Sequence, residues 1–251
     1  MFKTVVTAAS LAAFVLTATA LADGYKPYNW TGLYFGGNLG YGMRNTDVDL
    51  SGSSGALYWN DPFETEQETL DSGSGLVGGL QFGADKHFGS LLVGVAIDVT
   101  FGELEDEGTY TTPLGSQWHI TSTLNTLALA RGRIGLVVTP RLMTYATAGL
   151  AFGQFNVKQA TTFVNGAGEP IDDGGRVSGD VNHFGYTVGG GFEYLFARGW
   201  TFGSEYLFVD FGKEDYALKG TTKPYNNTPH TETFAAEKEL HMFRGTLNYR
   251  F

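Results

Sequence analysis

The sequence feature that most limits the fold is a two-residue alternation between apolar and polar side chains. In segment 241–251, HMFRGTLNYRF, one parity is apolar or small, whereas the other carries Arg244 and Arg250. Successive side chains of a β-strand point to opposite faces of its sheet, so this segment is predicted to be a strand with one apolar and one charged face. Because it ends on Phe251 itself, we expect the apolar face to matter up to that residue.

The same alternation recurs along the chain, in segments that we interpret as eight strands. Their predicted ranges are 32–44, 75–87, 90–102, 121–138, 142–157, 182–196, 200–212 and 241–251. Tight turns alternate with long polar loops: the turns cover 86–89, 139–141 and 197–199, and the loops about 45–74, 103–120, 158–181 and 213–236. This layout predicts an all-β fold, an eight-stranded antiparallel up-and-down transmembrane β-barrel.

The polar face of these strands carries charges of both signs. We assign seven of them to a network in the barrel interior: Asp85, Asp98, Arg131, Arg133, Glu193, Glu205 and Arg244. A barrel of about eight strands has an interior only wide enough to be filled by side chains. An unpaired ion in a closed interior is very costly, so these charges are predicted to pair and to fill the lumen, rather than to line an aqueous channel. Glycines of the same parity would leave room for the long charged side chains.

The N-terminal residues have the pattern of a secretory signal peptide. Lys3 precedes an apolar run at residues 5–16, and Ala-Leu-Ala at 20–22 supplies small residues at the cleavage position. The mature chain is therefore expected to begin near Asp23. The predicted organisation is a cleaved signal peptide at 1–22, a short periplasmic segment at 23–29 and the barrel at 30–251.

Composition excludes several function classes. The chain has no cysteine, which excludes disulfides, thiol redox chemistry and thiolate metal sites. Its 26 acidic residues outnumber its 16 lysines and arginines, which argues against a nucleic-acid partner because such proteins need a basic patch.

Three motifs carry a resemblance to a known family. They are WTGLYFGGNLGY at 30–41, YATAGLA at 145–151 and GYTVGGGFEY at 185–194. The chain resembles the small porin-like outer-membrane β-barrels and surface antigens of alphaproteobacteria over its whole mature length. The resemblance implies a location in the outer membrane of a Gram-negative bacterium, in contact with membrane lipid and lipopolysaccharide. It specifies architecture strongly and activity weakly, because loops diverge in such families.

The last strand also resembles a known signal. The pattern of Phe243, Leu247, Tyr249 and Phe251 is similar to the C-terminal signal by which the outer-membrane assembly machinery recognises its clients. That machinery is therefore an expected partner. No oligomeric state follows from the sequence.

A few histidine, serine and acidic residues are candidates for catalysis or metal binding, but their pattern favours neither. His183, Ser204 and Glu205 could form a nucleophile, a base and an orienting group on neighbouring strands, but Ser204 shares the apolar outward parity whereas Glu205 has the inward one. His119 and His230 lie in different predicted loops and could meet around a metal or haem, although loop solvation is the simpler interpretation. We assign no catalytic, cofactor-binding or metal-binding residue and expect no enzyme activity.

The predicted loops are rich in acidic residues. Plain solvation explains this, and an alternative is bridging to anionic lipopolysaccharide through divalent cations. Segment 61–71, with its five carboxylates, is the candidate weak cation site.

The sequence therefore favours a structural outer-membrane barrel that contributes to envelope integrity and to the cell surface. The alternatives are a narrow porin for small solutes and a haem-binding, ligand-binding or adhesive surface antigen.

Overall fold

The computed structural model of the protein describes residues 29–50, 66–69, 73–111, 117–164, 170–222 and 228–251. The signal peptide predicted at 1–22 lies outside the described residues, as does most of the segment at 23–29. In the part of the chain that is described, no helix is long and apolar enough to cross a membrane.

The described chain forms a ring of eight long antiparallel strands with one short additional strand. The strands are β1 (Gly32–Leu50), β2 (Glu66–Thr69), β3 (Ser74–Phe88), β4 (Leu91–Thr111), β5 (Gln117–Thr139), β6 (Leu142–Val164), β7 (Pro170–Ala197), β8 (Trp200–Thr222) and β9 (Thr228–Arg250). Each long strand pairs with its neighbours in sequence, and β1 also pairs with β9, from Tyr34–Arg250 to Leu50–Phe234. This pairing confirms the predicted eight-stranded antiparallel barrel. The short β2 pairs with the far end of β1 and was not predicted.

The outer surface of the ring is an apolar belt. On β1 the outward side chains include Leu33, Phe35, Leu39, Tyr41 and Met43, all exposed, and the intervening residues point inward. From Leu33 to Met43 the strand matches the roughly 9–11 residues that a tilted β-strand needs to cross a bilayer. The exposed apolar face is therefore the surface that meets lipid.

The strands extend well into ranges that the sequence assigned to loops. β4 continues to Thr111, and β7 begins as early as Pro170. β8 ends only at Thr222, and β9 already begins at Thr228. The predicted loops at 45–74, 103–120, 158–181 and 213–236 were too long for this reason. In these ranges most residues of either parity are polar, so the hydrophobic alternation that marks the belt disappears although the backbone ladder continues.

The short turns lie at one end of the ring, as predicted. Gly89 and Gly199 have φ angles of 65° and 76°, which a residue with a side chain adopts only with strain. At the third turn, the Thr139 hydroxyl accepts hydrogen bonds from the backbone N–H groups of Arg141 and Leu142, at 3.3 and 3.1 Å. We call this the short-turn end and the opposite one the loop end.

Near the loop end the ring divides between β7 and β8. Among the described residues their ladder runs from Ala197–Trp200 only to Tyr186–Asp210. Beyond that point β7 pairs with β6, and β8 pairs with β9. The division begins at a bulge in β8, where Gly212 has a φ of 67° and its N–H donates to the Asp210 carboxylate at 2.6 Å. Two strand edges are therefore left facing one another above the belt.

Candidate functional site: the barrel interior

The interior is filled by side chains arranged in layers along the barrel axis. Two layers consist of charged groups, and we name each by the end that it faces. The turn-side tetrad is Asp85, Arg133, Glu193 and Arg250, and the loop-side tetrad is Asp98, Arg131, Glu205 and Arg244. All eight side chains are buried.

In the loop-side tetrad each arginine contacts both carboxylates. Arg131 Nη2 lies 2.8 Å from Asp98 Oδ2, and its Nη1 lies 3.0 Å from Glu205 Oε2. Arg244 reaches the same two groups, with Nη1 at 2.8 Å from Asp98 Oδ1 and Nε at 2.6 Å from Glu205 Oε1. These residues come from β4, β5, β8 and β9, so the ion pairs tie opposite walls of the ring together.

The turn-side tetrad repeats the arrangement one layer nearer the short turns. Arg133 donates from Nε to Asp85 Oδ1 at 2.7 Å and from Nη1 to Glu193 Oε1 at 2.7 Å. Arg250 Nη2 lies 2.8 Å from Asp85 Oδ2 and 3.0 Å from Glu193 Oε2. Each tetrad holds two cations and two anions, so neither layer leaves an uncompensated charge in the interior.

Aromatic and hydroxyl groups complete both tetrads. The Arg133 guanidinium lies 4.4 Å from the centre of the Tyr34 ring, and Arg250 lies 5.0 Å from the same ring. The Tyr145 hydroxyl donates to Glu205 at 3.1 Å. The Thr201 hydroxyl donates to Glu193 at 3.1 Å. These additional partners offset part of the cost of removing the ions from water.

A thick apolar layer lies between the loop-side tetrad and the loop end. Its inward side chains are Val77, Leu104, Leu124, Leu127, Leu129, Ala151, Phe155, Leu207, Val209, Phe211, Leu240 and Met242. One gap among them has a volume of about 10 Å³, which holds no more than about one water molecule.

Further packed side chains close the interior at both ends of the barrel. At the short-turn end, fully buried Trp30 packs with Leu92, Met143 and Leu195. Towards the loop end, Arg44 Nη2 pairs with Asp106 at 2.8 Å. Arg44 also donates to the backbone oxygen of Leu104 at 2.8 Å.

One wall of the interior is polar without being charged. Gln81 donates to Asn248, and both amides are buried. Asn38 and Thr246 lie on the same wall, and their side chains make no hydrogen bond within the described part of the protein. Buried groups of this kind are normally satisfied by ordered water, so we expect a few water molecules between the tetrads. The apolar layer separates them from the loop end.

All seven interior charges assigned from the sequence lie in the two tetrads. The eighth member, Arg250, was missed as a site residue although it has the inward parity. The apolar layer was missed as well, because on β5 the inward Leu127 and Leu129 alternate with Ala128 and Ala130, and apolar residues on both faces give no two-residue signal. A bulge near Asn125 then shifts the parity of β5, so that Leu124 points inward.

The rejected catalytic residues are not brought together. Glu205 belongs to the loop-side tetrad, and Ser204 faces outward. The His183 ring packs edge-on against Phe155, with the two ring centres 5.1 Å apart. His119, predicted in a loop, lies on β5 and its Nδ1 is 3.0 Å from the Thr109 hydroxyl.

Cation binding gains no support from the placement of its candidate residues. His230 lies on β9, which is not a neighbour of the β5 strand that carries His119. Asp61, Glu64 and Asp71 of the candidate cation segment lie outside the described residues. Across the residues that the structure describes, no group of three histidines or carboxylates could hold a metal ion.

The residues that resemble an assembly signal lie on the outer surface. Phe243, Leu247, Tyr249 and Phe251 all point outward and are exposed, and the backbone N–H of Phe251 donates to Leu33 on the first strand at 3.0 Å. They therefore face lipid beside the closing seam. Recognition by the assembly machinery stays a prediction.

Comparison with known proteins identifies relatives. Residues 7–251 match the family described as "Outer membrane protein beta-barrel domain". The chain is 28% identical over 232 residues to the 31 kDa outer-membrane immunogenic protein of Brucella melitensis, covering 89% of this chain and 85% of that protein. It is 35% identical over 88 residues to the 22 kDa outer membrane protein of Rhizobium leguminosarum bv. viciae, about a third of each chain (35% and 34%). Among solved structures, OprG of Pseudomonas aeruginosa has a TM-score of 0.49 at 13% identity, covering 90% of this chain and 99% of that one.

Proposed function

Because the chain belongs to the outer membrane protein β-barrel family and is an outer-membrane protein, we propose that it is a non-conducting structural barrel that contributes to envelope integrity. In this role the barrel holds the outer membrane together through its lipid-facing belt and presents its loop end at the cell surface. It performs no chemistry of its own.

The observation that carries this proposal is the filled interior. The two tetrads and the apolar layer occupy successive levels of the lumen, and each spans it from wall to wall. A solute-conducting barrel needs a continuous wetted path, and eight strands leave little room for one. The porin alternative is disfavoured for this reason.

Purified protein in planar bilayers is expected to show no steady conductance. The Arg133→Ala variant should also remain closed, because the apolar layer lies at a different level from the turn-side tetrad that this change disrupts. Steady conductance of the wild type, with Arg133→Ala altering only ion selectivity, would instead identify a narrow porin.

A permeability assay in cells distinguishes a structural role of the barrel from a role in solute transport. A strain lacking the protein should admit a bulky apolar dye faster than the parent strain, and both the wild type and a properly assembled Arg141→Ala variant should restore the barrier. Normal dye entry combined with slow uptake of a small solute would argue for transport.

A second candidate function, adhesion or ligand binding at the surface, is favoured by the divided loop end. Among the described residues the ladder between β7 and β8 ends at Tyr186–Asp210, so that a strand edge begins on each side of the division. Exposed edges of this kind can pair with an extended peptide. The Brucella relative is named an immunogenic protein, which fits a surface that meets host molecules.

Cysteine labelling tests the orientation on which both candidates depend. The chain has no cysteine, so a single introduced cysteine is the only thiol of the protein that a maleimide can label. Ser178 on β7 and Ser90 in the β3–β4 turn are both exposed. A membrane-impermeant maleimide is expected to label Ser178→Cys on intact cells, and Ser90→Cys only after the outer membrane is permeabilised. The reverse pattern would place the loop end in the periplasm.

A further inference from the structure

A groove runs across the lipid-facing surface where the ring closes. It has a volume of about 740 Å³, within the range of small-molecule sites, and crosses β8, β9, β1 and the edge of β3. Its lining includes two outward glycines, Gly37 and Gly245, together with Phe35, Leu39 and Trp200. This surface is indented between large side chains.

The glycines create the groove, and the backbone does not require them. Gly37 lies between Leu80 and Leu247 on the neighbouring strands, and Gly245 lies beside Leu39. A Cβ atom at Gly37 would be 3.5 Å from its nearest neighbour, and one at Gly245 would be 3.8 Å away, which are ordinary contact distances. Larger side chains would therefore fit the fold and fill the groove.

The end of the groove near the short turns has an aromatic and cationic rim. Trp200 and Tyr249 meet edge to face, with ring centres 5.2 Å apart. Trp and Tyr favour the level of lipid headgroups. The exposed Arg198 lies in the turn next to Trp200.

We propose that this groove binds one phospholipid of the periplasmic leaflet. An acyl chain lies along Gly37 and Gly245, where it gains close contacts that a flat belt would not offer. The phosphate lies at the rim beside Arg198, an exposed cation suited to an anionic headgroup. The choice of leaflet rests on the orientation proposed above, in which the short turns face the periplasm.

A second copy of the chain fits this surface less well. In a two-fold contact across the groove the same patch of both copies would meet, so the cationic rims, including both Arg198 side chains, would be brought together. A phospholipid instead supplies the hydrocarbon for the groove and the negative charge for the rim.

Native mass spectrometry of the detergent-purified barrel, incubated with phosphatidylglycerol, tests the proposal. Gly245→Val should weaken retention of one phospholipid roughly tenfold, equivalent to about 1.4 kcal/mol. The matched control is Gly132→Val on β5, across the ring, where the outward glycine also has open space, with its nearest neighbour at 3.9 Å. This control should retain lipid as the wild type does. Equal retention by both valine variants would overturn the proposal.

Two further arms distinguish the occupant and the leaflet. Arg198→Ser should abolish any preference for phosphatidylglycerol over the zwitterionic phosphatidylethanolamine while one lipid is still retained. Stronger retention of lipopolysaccharide than of either phospholipid would overturn the choice of leaflet. A dimer that Gly245→Val dissociates would show that a second copy occupies the groove. None of these results depends on whether the barrel conducts, so the closed-barrel proposal stands or falls separately.

Discussion

Replacing Arg133 by alanine is expected to lower the free energy of unfolding by roughly 3–5 kcal/mol. The guanidinium contacts Asp85 and Glu193, and after its removal Arg250 alone must compensate two buried carboxylates. The Tyr34 ring would also lose the nearer of its two cations, and only Arg250 would remain beside it. Urea unfolding in lipid vesicles, followed by heat-dependent mobility on a detergent gel, measures the loss.

Two comparisons make that result specific to the tetrad. Arg141→Ala removes an exposed arginine from the turn that follows the same strand, and should change stability by no more than about 0.5 kcal/mol. The double variant Arg133→Ala with Glu193→Ala leaves Arg250 and Asp85 as a neutral pair. Its loss should therefore be clearly smaller than the sum of the two single losses, and simple additivity would contradict the shared-carboxylate arrangement.

Gly36→Val is expected to prevent barrel closure almost completely, whereas Gly37→Val should assemble. At Gly36 a Cβ atom would overlap the backbone oxygen of Leu247 and approach the Asn248 Cα within 2.8 Å, so a backbone on the closing seam must move. At Gly37 the same atom points outward, with its nearest neighbour at 3.5 Å. The fraction of outer-membrane protein that migrates as a compact unheated band reports assembly. Similar assembly of both variants would contradict the seam packing described here.

The parity of a strand can be read from its sequence, which is why the inward charges were predictable. Along β5 the inward Arg131 and Arg133 alternate with outward residues such as Ala130 and Ile134. Glu193 and Glu205 likewise alternate with largely apolar outward residues on their own strands. Parity states which face a residue occupies, but not its height along the barrel. That height depends on the stagger between strands, so the division into two tetrads with shared carboxylates became evident only from the structure.

Strand ends and the apolar layer were harder to predict for a related reason. Sequence alternation is visible only where the two faces have different surroundings. Beyond the belt most residues of either parity on β4 and β8 are polar, and within the apolar layer both faces of β5 are apolar. In each case the contrast disappears, although the backbone pairing continues.

The closing ladder between β1 and β9 also has a kinetic consequence. Arg244 bonds to Asp98 across 146 residues, and Arg250 to Trp30 across 220, so these interior contacts cannot form until the final strand has arrived. Contacts so distant in sequence close slowly. An unclosed sheet in the bilayer would expose strand edges and buried-type ions to hydrocarbon. Insertion and closure must therefore occur together, and the exported chain must be kept from collapsing in the periplasm until both can happen.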